Sequence, residues 1–362
     1  MSTDFVDRLE DQLRAAAEGQ AHGVRRPWSA RPLPGAPALR VALAFVLLAL
    51  LVAAALSWLP AGQDRRPAGP QARGSFVVAP GLSSVAAGAG VVWAADPVRG
   101  RLVRIDPREH RVIARVSVGG EARLAIAHGR LWAVAGDLGL GGSAGPVRLL
   151  ALDPRTGRPR PRVLAPRTPD GAAFVPDGLQ VDRGRLWAVG LAGAVRIDTA
   201  RWVTAEFMPA PEPAGEPRGV VVDGDTLWTL TAGGRLRHSG PDGRRLGPDL
   251  PVPAPATQLL GVADGLAHVG VGRAGLAAVD LATGRVRWQA TFGDDLGAVR
   301  REAGVLWVQH RVGEAGRLVL VDARTGRRLG ATALPEANAV GIARVGDELW
   351  VAWAGGRVTV VR

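Results

Sequence analysis

Residues 82–120 read LSSVAAGAGVVWAADPVRGRLVRIDPREHRVIARVSVGG. Four short β-rich stretches stand here, each bounded by Gly, Asp or Pro, which is the pattern of consecutive hairpins. The phrase Gly-Val-Val-Trp93 returns along the chain as Arg-Leu-Trp132, Arg-Leu-Trp187, Thr-Leu-Trp228, Leu-Ala267, Val-Leu-Trp307 and Glu-Leu-Trp350, the fifth copy lacking its indole. The steps between these anchors are 39, 55, 41, 39, 40 and 43 residues. A period near 40 residues with four strands in each is that of blades set radially about an axis. The reading is an all-β protein: a seven-bladed β-propeller with four-stranded antiparallel blades, preceded by a single transmembrane helix.

The last copy stops after three strands, VGIARV, ELWVAWA and RVTVVR, at Arg362. The missing strand is expected from the start of the domain, Ser75–Ala79 (SFVVA), so that residues 75–362 form a closed ring and two strand edges that would template aggregation pair with each other. In several blades the third strand ends in Asp before a turn: Asp106-Pro107, Asp153-Pro-Arg-Thr-Gly157, Asp280-Leu-Ala-Thr-Gly284 and Asp322-Ala-Arg-Thr-Gly326. An Asp carboxylate accepts hydrogen bonds from backbone N–H groups two or three residues on and Gly supplies positive φ, so these aspartates are read as turn residues and not as calcium ligands. The recurrent Trp residues are assigned to packing between blades, where a large ring fills space. Trp353, near a strand end, is expected to be the exposed ring.

Ahead of the repeats, residues 41–59 read VALAFVLLALLVAAALSWL, without a charge and followed by Pro60. At 1.5 Å per residue this run reaches across about 29 Å, close to the hydrocarbon thickness of a bilayer. Trp58 stands where an indole would meet the headgroups. Arg25, Arg26, Arg31 and Arg40 precede the run, and Arg65, Arg66 and Arg73 follow it, so charge alone hardly orients it. A signal-anchor with the N-terminus inside and the propeller outside the cytoplasmic membrane is the preferred arrangement; cleavage is disfavoured because Leu59 stands where a small residue is needed before Ala61. Residues 1–40 form the cytoplasmic segment. Within it, residues 3–17 (TDFVDRLEDQLRAAA) place Phe5, Leu9, Leu13 and Ala16 at helical spacing, either a short helix without a role of its own or a docking segment for a cytoplasmic protein or the membrane surface, and a Pro/Arg-rich tether follows. Residues 60–74 are the linker to the ring.

The net charge is +12, every basic residue is Arg, and Cys and Tyr are absent. Arginine spread over every blade reads as a solvated surface, so no nucleic-acid partner is expected. Without Cys there is neither a disulfide nor a thiolate metal site.

Residues 92–120, VWAADPVRGRLVRIDPREHRVIARVSVGG, resemble the repeat of YVTN-type bacterial β-propellers. Ala278-Val-Asp280-Leu-Ala-Thr283-Gly284-Arg-Val-Arg-Trp288 is similar to the tryptophan-docking motif of quinoprotein-like (PQQ-like) propellers, with shorter versions at Asp153 and Asp322. That resemblance implies a motif that ties blades together without binding the quinone. The dehydrogenases of that group resemble eight-bladed rings with adjacent cysteines and an acidic calcium cluster; this chain counts seven anchors and has no Cys, so no cofactor is expected. The lyases related to the virginiamycin B enzyme are similar in blade number and imply a catalytic His with a nearby Glu, for which His310 and Glu314 are the candidates here.

His22, His110, His128, His238 and His268 show no metal-ligand spacing, and no metal site is expected. In a propeller the loops before each first strand gather at one channel mouth. Counting back from each anchor gives a candidate ligand-binding ring: Ser84, Arg123, Asp177, Arg218, Gln258, Asp295 and Asn338. The Gly-rich stretch 136–145 reads as an insertion, with a flexible lid as the alternative. The functional expectation is a membrane-anchored, non-enzymatic module binding a small molecule or an envelope protein at this mouth, for sensing or scaffolding. The alternative is a propeller enzyme of lyase or hydrolase type.

Overall fold

A computed structural model describes residues 70–136, 147–160, 164–210 and 218–362, all within the unit Pro67–Arg362. The helix expected at 3–17, the tether, the apolar run 41–59, most of the linker and the Gly-rich stretch after Gly136 lie outside these residues. Among the described residues no helix is long and apolar enough to cross a membrane.

The strands form seven antiparallel sheets. Blade one is β2 (Ser84–Gly88), β3 (Val91–Asp96), β4 (Arg101–Asp106) and β5 (Arg111–Ser117). Blade two is β6 (Glu121–Ala127), β7 (Arg130–Gly136) and β8 (Arg148–Leu152), and blade three β9 (Gly178–Asp182), β10 (Arg185–Gly190), β11 (Gly193–Asp198) and β12 (Val203–Pro209). Blade four is β13 (Val220–Asp223), β14 (Thr226–Leu230), β15 (Arg235–Ser239) and the two-residue β16 (Leu250–Pro251). Blades five and six are β17 (Ala256–Ala263), β18 (Leu266–Val271), β19 (Gly275–Asp280) and β20 (Val286–Thr291), then β21 (Leu296–Glu302), β22 (Val305–Val312), β23 (Ala315–Asp322) and β24 (Arg328–Leu334). Blade seven is β25 (Ala339–Val345), β26 (Glu348–Trp353), β27 (Arg357–Val361) and β1 (Ala72–Val77), so the first strand of the domain stands beside the last. Ser75 lies opposite Thr359 and Phe76 opposite Val358. The segment anticipated as Ser75–Ala79 thus begins three residues earlier and ends at Val77; Val78 and Ala79 instead donate their N–H groups to Gly356 O.

Blade two departs from the four-stranded expectation. Among the described residues its fourth position holds single bridges, Leu152 with Pro159 and Leu149 with Leu164. Pro159, Pro161 and Pro166 stand in this stretch, and proline has no N–H to give a ladder.

Among the described residues there are seven apolar clusters, each drawing on two consecutive blades, one of them joining blade seven to blade one. The anchor is the third residue of each second strand. Trp93, Trp132, Trp187 and Trp350 are fully buried there, Trp228 is buried, and Trp307 packs partly buried between blades six and seven. In the fifth copy the third residue is His268, not Ala267. Counting from the turn glycine aligns His268 with the indoles, and its ring, 1% exposed, lies 6.0 Å from that of Trp288. Trp353 is likewise corrected: it is fully buried, and its Nε1–H donates to Thr359 Oγ1 at 2.8 Å. Side chains alternate along a strand, so three residues past Trp350 the ring points to the opposite face of the blade, which blade six covers.

The third-strand aspartates hold their turns. Asp106 Oδ1 accepts from the N–H groups of Arg108 (2.8 Å) and Glu109 (3.2 Å), Asp322 Oδ1 from those of Arg324 (3.1 Å) and Thr325 (2.8 Å), and Asp153, Asp198 and Asp280 repeat the arrangement. These donors favour the anion and lower the carboxyl pKa at all five; backbone N–H groups dominate at Asp106, Asp153 and Asp198, the Thr hydroxyl at Asp280 and Asp322. Two such turns also receive a Trp from the preceding blade. Trp93 Nε1–H donates to Pro154 O (2.8 Å) and Trp288 Nε1–H to Ala323 O (3.0 Å).

Gly157 and Gly326 lie against these rings. A Cβ on Gly157 would stand 2.7 Å from Trp93 Cη2, whereas one on Gly129 meets nothing within 4 Å, although φ is positive at both (+73° and +67°). Gly157→Ala is therefore expected to lower stability by about 1–3 kcal/mol more than Gly129→Ala, the cost of overpacking beyond that of backbone strain. Urea unfolding of the two variants measures the difference, and equal losses would refute docking of Trp93 on this turn.

Candidate functional site at the channel mouth

The seven first strands, β2, β6, β9, β13, β17, β21 and β25, face the axis. A cavity of about 360 Å³ is lined by Ser84 from blade one, Gln258 from blade five, Arg300 and Gly297 from blade six and Gly341 from blade seven. Blades one and five are not neighbours, so a cavity that both line is the central channel. The candidate ring stands at or just before the beginnings of these strands: Ser84, Arg123 and Gln258 inside β2, β6 and β17, the other four one or two residues ahead of theirs.

Its members divide by what they already hold. Ser84 Oγ accepts from Leu124 N–H (3.1 Å) in the next blade. Arg123 donates to Ser83 O (3.4 Å) in the preceding blade and pairs with Glu121. Arg218 donates through its guanidinium to Ala256 O, again across a blade boundary. Asp295 is clamped between Arg273 (2.7 and 3.1 Å) and Arg311, and Arg273 above all holds its carboxyl below the usual range. Asp177, Gln258 and Asn338 remain exposed to solvent. Surrounding protein raises the Asp177 carboxyl pKa, and the Arg123 charge opposes that rise. Asn338 lines a second cavity, of about 310 Å³, with Arg311, Glu314 and Glu336.

Three further residues of the channel wall were not singled out from sequence. Gln180 exchanges two hydrogen bonds with the Val222 backbone, accepting its N–H at 3.0 Å. Asp182 accepts from Gly224 N–H (2.9 Å), and Arg300 donates to Ile342 O (3.0 Å). Gln180 and Arg300 staple their first strands to that of the next blade, and Asp182 staples its own to the turn that follows β13. The available signal was a polar residue inside a first strand some 42 positions before its partner, the blade period itself.

His310 and Glu314 are not brought together. His310, in β22, is 4% exposed; its Nδ1–H donates to Arg311 O (3.2 Å), its ring lies 6.0 Å from that of Phe292, and it borders a cavity of about 410 Å³ with Arg317 and Arg328. Glu314, in the turn after β22, borders the separate cavity of Asn338. Desolvation lowers the His310 pKa, with the Arg311 carbonyl opposing.

No family model matches the chain, and no curated protein matches it. Solved structures do. The computationally designed Ika8 protein aligns with a TM-score of 0.56 at 12% identity, over 80% of this chain and 98% of its own. BamB from Moraxella catarrhalis aligns with a TM-score of 0.51 at 14% identity, over 78% of this chain and 85% of its own. At such identities the likeness establishes the fold: this is a β-propeller similar to that of BamB.

Burial also lowers the pKa of His238 and His268. His268 is the deepest: Nε2–H donates to Ala323 O (2.9 Å) and Nδ1 has no partner, so a second proton there would be buried and unsatisfied. A histidine whose pKa is lower in the folded than in the unfolded state leaves stability intact above the unfolded value of 6.5 and removes it as pH falls below. The unfolding midpoint in urea is expected to be flat above about pH 7 and to decline toward about pH 5.5. His268→Gln, which keeps a donor for Ala323 O, should make that decline shallower; an unchanged slope would show that His268 does not contribute.

Proposed function

We propose that the chain is a single-pass membrane protein, held by residues 41–59 with its N-terminus inside, that presents the propeller outside the cytoplasmic membrane as a non-enzymatic binding module. Its ligand, a small molecule or a segment of an envelope protein, sits at the channel mouth. One observation carries the reading of the mouth: Ser84, Arg123 and Arg218 are committed to bonds between blades and form a rim, while Asp177, Gln258 and Asn338 are exposed, the two amides bordering open cavities. Amides both donate and accept, which suits peptide groups and polar small molecules. The lyase alternative gains no support from His310 and Glu314, which border different cavities. Sensing and scaffolding are two uses of the same site.

A thermal-shift screen of small molecules and envelope-derived peptides should give stabilising ligands. For a true mouth ligand, Gln258→Ala or Asn338→Ala is expected to weaken binding about tenfold, the worth of a hydrogen bond or two, with folding unchanged. Ligands whose affinity ignores both substitutions would place the site elsewhere. The full chain should remain with membranes through a high-salt wash and need detergent for release, and removal of 41–59 should abolish this; release by salt alone would overturn the anchor.

A further inference from the structure

The hairpins joining first to second strands and those joining third to fourth strands share the face opposite the channel mouth. Backbone hydrogen bonds link the two sets, Leu281 N–H to Gly265 O and Ala323 N–H to Gly304 O, both at 2.9 Å. The chain enters the ring on this same turn face. Arg362 follows β27 where other blades place their turn aspartate, and it exchanges both backbone hydrogen bonds with Gln71, at 2.7 and 2.9 Å. Whatever precedes residue 70 is therefore attached at blade seven, on the turn face.

Charge on that face is uneven. The turns 106–111, 153–160, 280–287 and 322–328, belonging to the two blades on either side of blade seven, carry ten arginines against five acids. Four of the acids are turn aspartates engaged with backbone N–H groups, and the fifth, Glu109, pairs with Arg111. Arg108, Arg155, Arg158, Arg285, Arg324 and Arg327 are all exposed, and none forms an ion pair with another described residue. On the far side the cations are matched: Arg183 meets Asp223, Arg185 meets Asp225, and Arg237 and Arg245 share Asp249. Two grooves open on the basic arc, one of about 590 Å³ beside Arg158 and one of about 480 Å³ beside Arg324.

We infer that this arginine arc is a membrane-contacting surface that binds the phosphates of anionic lipid headgroups and so turns the channel mouth away from the bilayer. The inference deepens the membrane-anchored reading above and rests on it. Guanidinium groups pair bidentately with phosphate, and an anionic surface attracts them only within a Debye length, about 8 Å at physiological salt. The ten residues from Pro60 to Gly69 can span at most about 35 Å, a length that permits the arc to reach the headgroups. The unpaired arginines lie on the third-to-fourth-strand turns of that arc, while arginines beside its first-to-second-strand hairpins are neutralised, Arg301 by Asp264 and Arg344 by Glu302.

The fragment 67–362 holds all seven sheets and all seven interfaces, so it can be tested without the apolar run. It is expected to co-sediment at low salt with vesicles containing phosphatidylglycerol, to be released by high salt, and to ignore vesicles of phosphatidylcholine alone. Combined Arg155→Gln, Arg158→Gln, Arg324→Gln and Arg327→Gln should weaken this by about tenfold or more, while Arg201→Gln with Arg244→Gln, in blades three and four, should change it by less than about twofold. No binding to the anionic vesicles, equal loss in both variants, or displacement by duplex DNA at lower concentration than by anionic lipid would overturn the inference, the last in favour of a nucleic acid. Because the fragment lacks residues 41–59, its result stands apart from whether the full chain is anchored.

Discussion

Every blade of this protein is a sheet with both faces buried against its neighbours, and that constraint governs nearly everything else in the ring. Antiparallel sheets commonly leave one face to water and alternate apolar with polar residues. Here β3, Val91–Asp96, is buried along all but its first residue, because blade seven covers one face and blade two the other. A wedge between radiating sheets needs a large flat group, and the third residue of each second strand supplies one. Truncating a fully buried Trp costs about 3–5 kcal/mol, a large share of what a domain has to spare. A separate need explains why β1 returns to blade seven: without it the backbone edge of β27 would stand unpaired.

Closer to the axis the sheets converge and the first strands approach one another with little room for apolar filling. Polar side chains take over. Gln180, Asp182, Ser84, Arg218 and Arg300 each satisfy a backbone group of an adjacent blade, so polar groups that would otherwise be poorly hydrated beside the channel are paired. The mouth is thus defined by subtraction. What can meet a ligand is the remainder after the ring has used its polar residues on itself.

The ring architecture was legible because indoles and turn aspartates recur at the spacing of a blade. Its exceptions were legible in part. His268 stands where an indole was sought, and counting from Gly265 rather than from the nearest aromatic would have found it. Three prolines between Arg158 and Arg167 already argued against a fourth strand in blade two. The burial of Trp353 follows from its parity with Trp350 once both faces of a blade are known to be covered. At the mouth, sequence located the strand beginnings that carry Arg123, Asp177 and Asn338, but which of these side chains is already engaged depends on the register between blades that are some 40 residues apart, and no linear pattern encodes that register. The same applies to His310 and Glu314: four residues of separation along a β-hairpin allowed proximity, and the fold sends them to different cavities.

The strand that closes the ring is also the strand to which everything upstream is attached. A pull on the chain at Gln71 is delivered to the β1–β27 ladder, five paired positions from Ala72 opposite Val361 to Val77 opposite Arg357, before it reaches any other blade. That ladder is the mechanical seam of the molecule. Tension there peels β1 away and leaves the backbone edge of β27 unpaired while blade seven keeps its packing against blades six and one, so the first element to yield under force is one short strand.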